Sequence, residues 1–76
     1  MANFYSVQDI GNIVRKARKA QNLTQEDLAG LSQVGRGFIS DLESGKETAQ
    51  IGKMLKVLAA LGVSLTSKSA WMDESL

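Results

Sequence analysis

The segment from Leu23 to Glu43 places the strongest constraint on the fold, because it predicts two short helices joined by a tight turn. Thr24, followed by Asp27 three residues later, has the pattern of a helix N-cap with an acid near the positive helix end. Two groups of apolar residues at helical spacing follow, separated by a break at residues 32–35. They are Leu28, Ala29 and Leu31 in the first helix, and Phe38, Ile39 and Leu42 in the second. Helices this short cannot bury their apolar faces alone, so they need flanking helices.

The flanking residues predict one helix on each side of this pair. Ser6, with an acid three residues later, indicates the start of a first helix that continues to about residue 21. Gly45 is a candidate left-handed end for the third helix, and a fourth is predicted to begin near Glu47 or Thr48 and to end at Gly62. The residues predicted to face inward are Val7, Ile10, Val14 and Ala17 in the first helix and Ile51, Met54, Leu55, Leu58 and Leu61 in the fourth.

The residues after Gly62 alternate between apolar and polar side chains, which predicts a short strand over residues 63–67. A lone strand leaves its backbone groups unpaired, so we expect Val63 and Leu65 to lie in a strand that pairs with a second copy; a frayed tail is the alternative. Trp71, in an apolar island before the acidic end, either covers the dimer core or anchors another protein. Residues 1–76 are predicted to form one domain, with a helical core in 6–62 and the strand and tail in 63–76.

The composition excludes several classes of site. The 76 residues include no cysteine and no histidine, which excludes disulfide bonds and metal sites that need thiolate or imidazole ligands. No two carboxylates are placed to share a catalytic task, so we expect neither an enzyme nor a bound cofactor. No apolar run is long enough to cross a membrane, and the first residues lack the pattern of a signal peptide, so a cytoplasmic protein is expected.

The distribution of charge is more informative than the net charge of +1. Two of the eight acidic residues lie at the C-terminal end, so residues 1–72 carry a net charge of +3. The predicted first helix ends with four basic residues, Arg15, Lys16, Arg18 and Lys19. Apart from Arg18, these form either a solvated face that complements the negative end of the helix or an edge that faces phosphates.

Two runs of residues carry a resemblance to a known family. Leu23–Ala29, with the sequence LTQEDLA, and Ile39–Lys46, with the sequence ISDLESGK, resemble without gaps the XRE or phage-repressor type of helix-turn-helix domain. The resemblance extends over roughly residues 8–62. The short chain and the segment after residue 62 are more similar to the HipB-like antitoxins of that family than to a full-length phage repressor.

The resemblance implies an all-α, repressor-like domain of four to five helices, with a short C-terminal β-strand that can pair across a dimer. It implies a homodimer that binds a palindromic operator in double-stranded DNA and represses its own operon. Similarity to the HipB-like group further implies a HipA-like kinase toxin as a protein partner. Two alternatives stay open: a stand-alone regulator without a toxin, and a helix-turn-helix scaffold that binds only proteins.

The second helix of the motif, which the resemblance places in the major groove, supplies the candidate base contacts. Arg36 is the strongest candidate, because its guanidinium can bond O6 and N7 of a guanine, or else a phosphate. Ser40, one turn further along the same face, can donate to a base edge or a phosphate. Gly35 and Gly37 depart from the polar residues common in the family and offer only a close backbone approach, so DNA shape would carry part of the specificity.

The candidate phosphate contacts are Thr24, Gln25, Gln33 and Lys46. In the resembled family a glutamine at the position of Gln25 contacts a DNA phosphate, helped by backbone N–H groups at the helix start; a solvated glutamine is the alternative. Gln33 stands where the family often has glycine, and it either adds a contact or reflects a looser turn. The resemblance also assigns Arg18 and Glu43 to a structural ion pair that ties the first helix to the third.

Overall fold

The computed structural model describes residues 6–47 and 50–63 of the chain. This part of the chain holds four helices: α1 Val7–Ala20, α2 Gln25–Ser32, α3 Arg36–Glu43 and α4 Ile51–Leu61. The predicted all-α fold is therefore confirmed for the described residues. The predicted strand over residues 63–67 lies outside them except for Val63, and so do Leu65 and Trp71.

The starts of α1 and α2 and the end of α3 follow from the capping residues that the sequence supplies. The Ser6 hydroxyl accepts a hydrogen bond from the Asp9 N–H at 3.1 Å. Thr24 and Asp27 form a complete capping box, in which Thr24 Oγ1 accepts from the Asp27 N–H at 2.9 Å and Asp27 Oδ2 accepts from the Thr24 N–H at 3.0 Å. These bonds satisfy N–H groups that have no partner inside the helix. Gly45 follows α3 in the left-handed region at φ +82°, as predicted.

The start of α4 is later than the sequence predicts. Its first helical residue is Ile51, with Gln50 as the N-cap, whereas the pattern favours a start at Glu47 or Thr48. Glu47 is not helical, and Thr48 lies outside the described residues. Several polar residues precede the apolar stripe of α4, and capping preference alone does not choose among them. The other end is as predicted, because Gly62 ends the helix in the left-handed conformation at φ +75°.

The core is a cluster of buried apolar side chains to which all four helices contribute. Its members are Val14, Leu28, Ala29, Ile39, Leu42, Val57, Leu58 and Leu61. Ile10, Ala17, Phe38 and Met54 pack against it from partly buried positions. Each large apolar side chain removed from water contributes about 1.5–3 kcal/mol, so the helices associate through the faces that carry these residues.

Three apolar residues that were expected to face inward are exposed instead: Leu31 (62%), Ile51 (61%) and Leu55 (47%). The prediction is wrong for them because periodicity identifies the apolar side of a helix but not the width of the arc that its neighbours cover. In α4, Ile51 and Leu55 lie one turn apart at one edge of the apolar stripe, while Val57, at the other edge, is fully buried. Within the described residues, the packing leaves an apolar strip of α4 uncovered.

α1 crosses α3 at a point that has room for glycine but not for a larger residue. Gly11 is buried, and a Cβ added there would overlap the Leu42 carbonyl oxygen and lie 3.2 Å from the Glu43 Cα. The backbone of α1 therefore lies directly against the last turn of α3. Helical periodicity does not identify this residue, because glycine adds no side chain to an apolar face.

We expect Gly11→Ala to destabilise the fold by about 1–3 kcal/mol, because the added methyl group forces α1 away from α3. Alanine ordinarily stabilises a helix interior relative to glycine by about 0.5–1 kcal/mol, so the sign of the change is diagnostic. The measurement is the free energy of unfolding in urea, followed by circular dichroism. Gly30→Ala in α2 is the matched control, since a Cβ there meets no atom within 4 Å, and it should be neutral or stabilising. A stabilised Gly11→Ala protein would contradict the close crossing.

Candidate nucleic-acid interface

Arg18 and Glu43 form a buried ion pair between α1 and α3. Arg18 Nε donates to Glu43 Oε2 at 2.6 Å and Arg18 Nη2 donates to Glu43 Oε1 at 3.0 Å, so two parallel hydrogen bonds join the groups. Arg18 Nη1 also donates to the Leu23 carbonyl oxygen at 2.8 Å. The side chains of Arg18 and Glu43 are 11% and 5% exposed. The structure thus places these two residues in contact and links α1, the loop before α2 and α3 through them.

The Glu43 carboxylate also binds the first residue of α2. Gln25 Nε2 donates to Glu43 Oε1 at 3.2 Å. Because a carboxylate only accepts hydrogen bonds, the contact is made by the amide nitrogen of Gln25 and not by its oxygen. This bond ties the N-terminal end of α2 to the C-terminal end of α3. The sequence motifs do not indicate it, because the two residues are distant in the chain.

The surroundings of Glu43 keep its carboxylate ionised. Burial raises the pKa of Glu43, but the hydrogen bonds from Arg18 and Gln25 and the positive charges of Arg18 and Arg15 outweigh burial and lower the pKa below its ordinary value. The pKa of Arg18 is raised, chiefly by its hydrogen bond to Glu43, while burial acts in the opposite direction. Both groups are therefore charged at neutral pH.

A groove between α1, α2 and α3 brings candidate residues from different helices to one surface. It is lined by Arg15, Arg18, Gln25, Ser40, Glu43 and Ser44. Gln25, a candidate phosphate contact, and Ser40, a candidate base contact, therefore share this groove. Arg15 is exposed and adds a positive charge to it.

The N-terminal end of α3 is open to solvent. Gly35 is its N-cap and supplies no side-chain hydrogen bond, and Arg36, Gly37 and Ser40 are all exposed. Arg36 and Ser40 are four residues apart, so they lie on one face of α3 that continues to Glu43. Within the described residues, Arg36 forms no ion pair or side-chain hydrogen bond. Its guanidinium can therefore reach an acceptor outside the protein.

The other candidate phosphate residues are spread over several surfaces. Thr24 is exposed beside Gln25, with its hydroxyl engaged in the capping box. Lys46 Nζ lies 3.7 Å from Asp41 Oδ2 in an exposed ion pair after α3. Gln33 ends α2 in the left-handed conformation at φ +61° and lines a separate groove with residues of α4. The structure does not bring Gln33 to the groove that contains Gln25.

The exposed strip of α4 is a surface that the sequence pattern did not identify. The eleven residues of α4 are apolar except for Gly52, Lys53 and Lys56. One face of a helix cannot bury that many apolar side chains, and this excess is the sequence signal that could have indicated an exposed apolar strip. Val63, a candidate dimer residue, is half-buried, packs against the core and donates its N–H to the Leu58 carbonyl at 2.9 Å.

None of the helices in the described residues has both the length and the hydrophobicity that a membrane span needs. No group of three or more His, Cys, Asp or Glu side chains among them could hold a metal ion.

Comparison with known proteins identifies the family. A family model described as Helix-turn-helix matches residues 14–67, which is more than half of the chain. An uncharacterised HTH-type transcriptional regulator of Sinorhizobium fredii, y4mF, is 61% identical over 57 residues, which are 75% of each chain. This chain belongs to the XRE-type helix-turn-helix family. The control protein C.MunI of a Mycoplasma species is 33% identical to it over 57 residues, covering 74% of this chain and 77% of that protein.

Solved structures share the fold of this XRE-type chain. The restriction-modification controller protein C.AhdI from Aeromonas hydrophila matches with a TM-score of 0.69 and 31% identity, covering 76% of this chain and 88% of that one. A chain of the HipA–HipB–O2–O3 complex matches with a TM-score of 0.81 and 23% identity, covering 92% and 99%. At that identity the second likeness shows the fold alone. Membership of the helix-turn-helix family makes this chain a DNA-binding transcriptional regulator and not an enzyme.

Removing one partner of the buried ion pair should destabilise the fold strongly. We expect Glu43→Ala to lower the free energy of unfolding by about 3–5 kcal/mol, because it leaves the charge of Arg18 buried without its partner. Asp41→Ala, which removes the partner of Lys46 in the exposed pair, is the matched control and should cost less than about 1 kcal/mol. Urea denaturation at pH 7 measures both. Equal, small losses would show that the buried pair adds little to stability.

The lowered pKa of Glu43 predicts a dependence of stability on pH. Because this pKa is lower in the folded protein than in the unfolded chain, the stabilisation is fully present above the unfolded-state pKa and is lost as the pH falls through the folded-state pKa. We therefore expect the difference in unfolding free energy between the wild-type and Glu43→Gln proteins to shrink as the pH enters that acidic range. Chemical denaturation at a series of pH values measures this difference. A difference that stays constant with pH would contradict a lowered pKa of Glu43 in the folded protein.

Proposed function

We propose that this chain binds a palindromic operator as a homodimer and represses transcription of its own operon, with α3 of each protomer in the major groove of one half-site. The observation that supports this most directly is the groove that Gln25, at the start of α2, shares with Ser40 of α3, on the helix face that also carries the exposed Arg36. Two such surfaces related by a two-fold axis would fit half-sites about one helical turn, roughly 34–36 Å, apart. The proposed compartment is the cytoplasm.

The proposed base contacts are concentrated in the first turns of α3. Residues near the N-terminal end of a helix that enters the major groove contact base edges, and Arg36 is the first residue of α3. Its exposed guanidinium has the fork of donors that matches O6 and N7 of guanine. Ser40 lies one turn further along the same face. A Cβ added at Gly35 or Gly37 would meet no other part of the protein within 4 Å, which supports a close approach of the DNA to the backbone.

Two of the proposed phosphate contacts, Thr24 and Gln25, lie at the start of α2. Backbone N–H groups and the positive end of the helix favour an anion there, beside Thr24 and Gln25. Arg15, which lines the same groove as Gln25, supplies a positive charge. Lys46 is an additional candidate, because it can exchange its exposed contact with Asp41 for a phosphate. Gln33 is another. Each phosphate neutralised by a basic side chain makes binding more sensitive to salt.

The exposed strip of α4 supports the proposed homodimer. Ile51 and Leu55 are large apolar residues, one turn apart, in a chain whose own core is small. Covering them with the same strip of a second copy would remove apolar area from water on both protomers. The predicted strand with Val63 and Leu65, and Trp71 beyond it, are further candidates for this interface.

A HipA-like kinase toxin is the proposed second protein partner, supported by the fold that this protein shares with one chain of the HipA–HipB–O2–O3 complex. A stand-alone regulator without a toxin is the second candidate, and the higher identities to C.AhdI and C.MunI, 31% and 33%, favour it. Co-purification of the tagged chain with the product of the neighbouring gene separates the two. A stoichiometric complex supports the toxin partner, and no complex supports the stand-alone regulator. A scaffold that binds only proteins would bind no operator.

We expect the wild-type chain to bind DNA from immediately upstream of its gene more tightly than scrambled DNA, with an affinity that falls steeply with salt. Arg36→Ala should weaken operator binding by about 1–3 kcal/mol, roughly 5- to 150-fold, if the guanidinium contacts a guanine. Fluorescence anisotropy titrations with both DNAs at several salt concentrations measure this. Asn12→Ala, at an exposed position of α1 to which no DNA contact is assigned, is the control and should leave affinity unchanged. Equal weak binding to both DNAs would contradict the proposal that this upstream DNA holds a specific operator. If Arg36→Ala binds the upstream DNA as tightly as the wild-type chain, Arg36 is not a base contact.

We expect Leu55→Lys to shift the chain from dimer to monomer, because it would bury a charge in the proposed α4 interface. Asn12→Lys, which adds the same charge at an exposed position of α1, is the matched control and should leave the dimer intact. Sedimentation equilibrium over a range of concentrations measures the dissociation constant of each protein. A Leu55→Lys dimer as tight as the wild-type dimer would exclude this strip from the interface.

A further inference from the structure

We propose that Glu43 is a positioning residue for DNA binding: its carboxylate orients the side-chain amide of Gln25 so that the remaining amide N–H is presented to a DNA phosphate. The inference rests on the proposed DNA-binding function and adds a second role to a residue whose first role is the ion pair with Arg18. It follows from the hydrogen bonds at one oxygen atom.

Glu43 Oε1 accepts two hydrogen bonds from different helices. Arg18 Nη2 donates to it at 3.0 Å and Gln25 Nε2 at 3.2 Å. The amide nitrogen of Gln25 carries two N–H groups, and Oε1 uses one of them. A glutamine without such a bond samples several rotamers and loses that freedom when it binds a ligand. The bond to Glu43 restricts Gln25 before DNA arrives, which lowers the entropic cost of binding.

The same bond excludes the unproductive orientation of the amide. A phosphate, like a carboxylate, only accepts hydrogen bonds, so Gln25 can contact it only through an N–H. If the amide were flipped, its oxygen would face Glu43 Oε1 and both atoms would be acceptors. The carboxylate therefore selects the orientation in which the nitrogen is held and its second N–H is available.

The negative charge of Glu43 does not oppose this role, because its partners balance it. Its side chain is 5% exposed and is bound through both oxygens by the guanidinium of Arg18. Arg15 adds a second positive charge to the groove that Gln25 lines. The groove thus presents an oriented amide and a positive edge to an approaching phosphate, while the carboxylate, which also lines it, is 5% exposed and paired with Arg18.

A double-mutant cycle on operator affinity tests the inference. In Glu43→Gln one acceptor oxygen replaces two, so the residue cannot accept both Arg18 bonds and the Gln25 bond together. We expect Glu43→Gln to weaken operator binding about threefold to tenfold in the wild-type background and less than about twofold in the Gln25→Ala background. Equal weakening in both backgrounds would mean that Glu43 acts through the packing of α3, and no weakening would mean that it does not act on binding. Either result overturns the proposal.

A matched control separates this role from a general loss of rigidity. Gln21 Nε2 donates to the Leu61 carbonyl oxygen at 2.8 Å, so Gln21→Ala also removes a glutamine that joins two parts of the fold. Its effect on operator binding should be the same in the wild-type background and in the Glu43→Gln background. Circular dichroism at the titration temperature establishes that each variant is folded.

A measurement on the wild-type chain keeps the test valid if Glu43→Gln does not fold. In nuclear magnetic resonance spectra, the side-chain amide proton of Gln25 that faces Glu43 should be displaced from the shift of an unrestrained glutamine before DNA is added, and the second amide proton should move when operator is added. Amide protons that behave like those of an unrestrained glutamine would overturn the inference. If the wild-type chain fails to prefer operator over scrambled DNA, the proposed function fails as well; if it binds operator but shows no coupling, the positioning role alone fails.

Discussion

The ion pair between Arg18 and Glu43 is the interaction on which the geometry of the motif depends. Its hydrogen bonds reach α1, the loop before α2 and, through Gln25, the start of α2, while Glu43 itself ends α3. A buried pair of this kind adds less to net stability than its short distances suggest, because both charges lose their hydration. Removing either partner is costly, however, because it leaves the other charge buried and unpaired. The relative placement of α2 and α3, which a helix-turn-helix needs at the major groove, is thereby fixed.

The backbone must come close for this pair to form, and two glycines allow it. Gly11 lets α1 lie directly against the last turn of α3, near Leu42 and Glu43. Gly45 then turns the chain away in the left-handed conformation, with the Gln8 Cα 3.2 Å from where its Cβ would be. The ion pair and the glycines therefore depend on each other: one supplies the attraction between α1 and α3, and the others supply the space.

The local features of the fold were predictable because they depend on residues within one helical turn. The capping box of Thr24 and Asp27 and the terminal glycines Gly45 and Gly62 were each indicated by short patterns and are present in the structure. Arg18 and Glu43 were paired through the resemblance, since no local pattern joins residues so far apart. The same limit explains why the sequence does not indicate the bond from Gln25 to Glu43, although it assigns a role to each of these residues.

The sequence by itself determined where the helices form and which side of each is apolar, because hydrogen bonds and side-chain spacing within a helix act over three or four residues. It also determined which residues could contact DNA, since only certain side chains have suitable donors. The tertiary structure alone decided that Val57 is buried while Ile51 and Leu55 are exposed, and that one oxygen of Glu43 serves both Arg18 and Gln25. Those outcomes depend on how closely the helices approach and which arc of each is covered. The approach of the helices is set by contacts such as Gln25 with Glu43 and Arg18 with Glu43. These pairs are separated by 18 and 25 positions in the chain, and no local pattern encodes contacts over that separation.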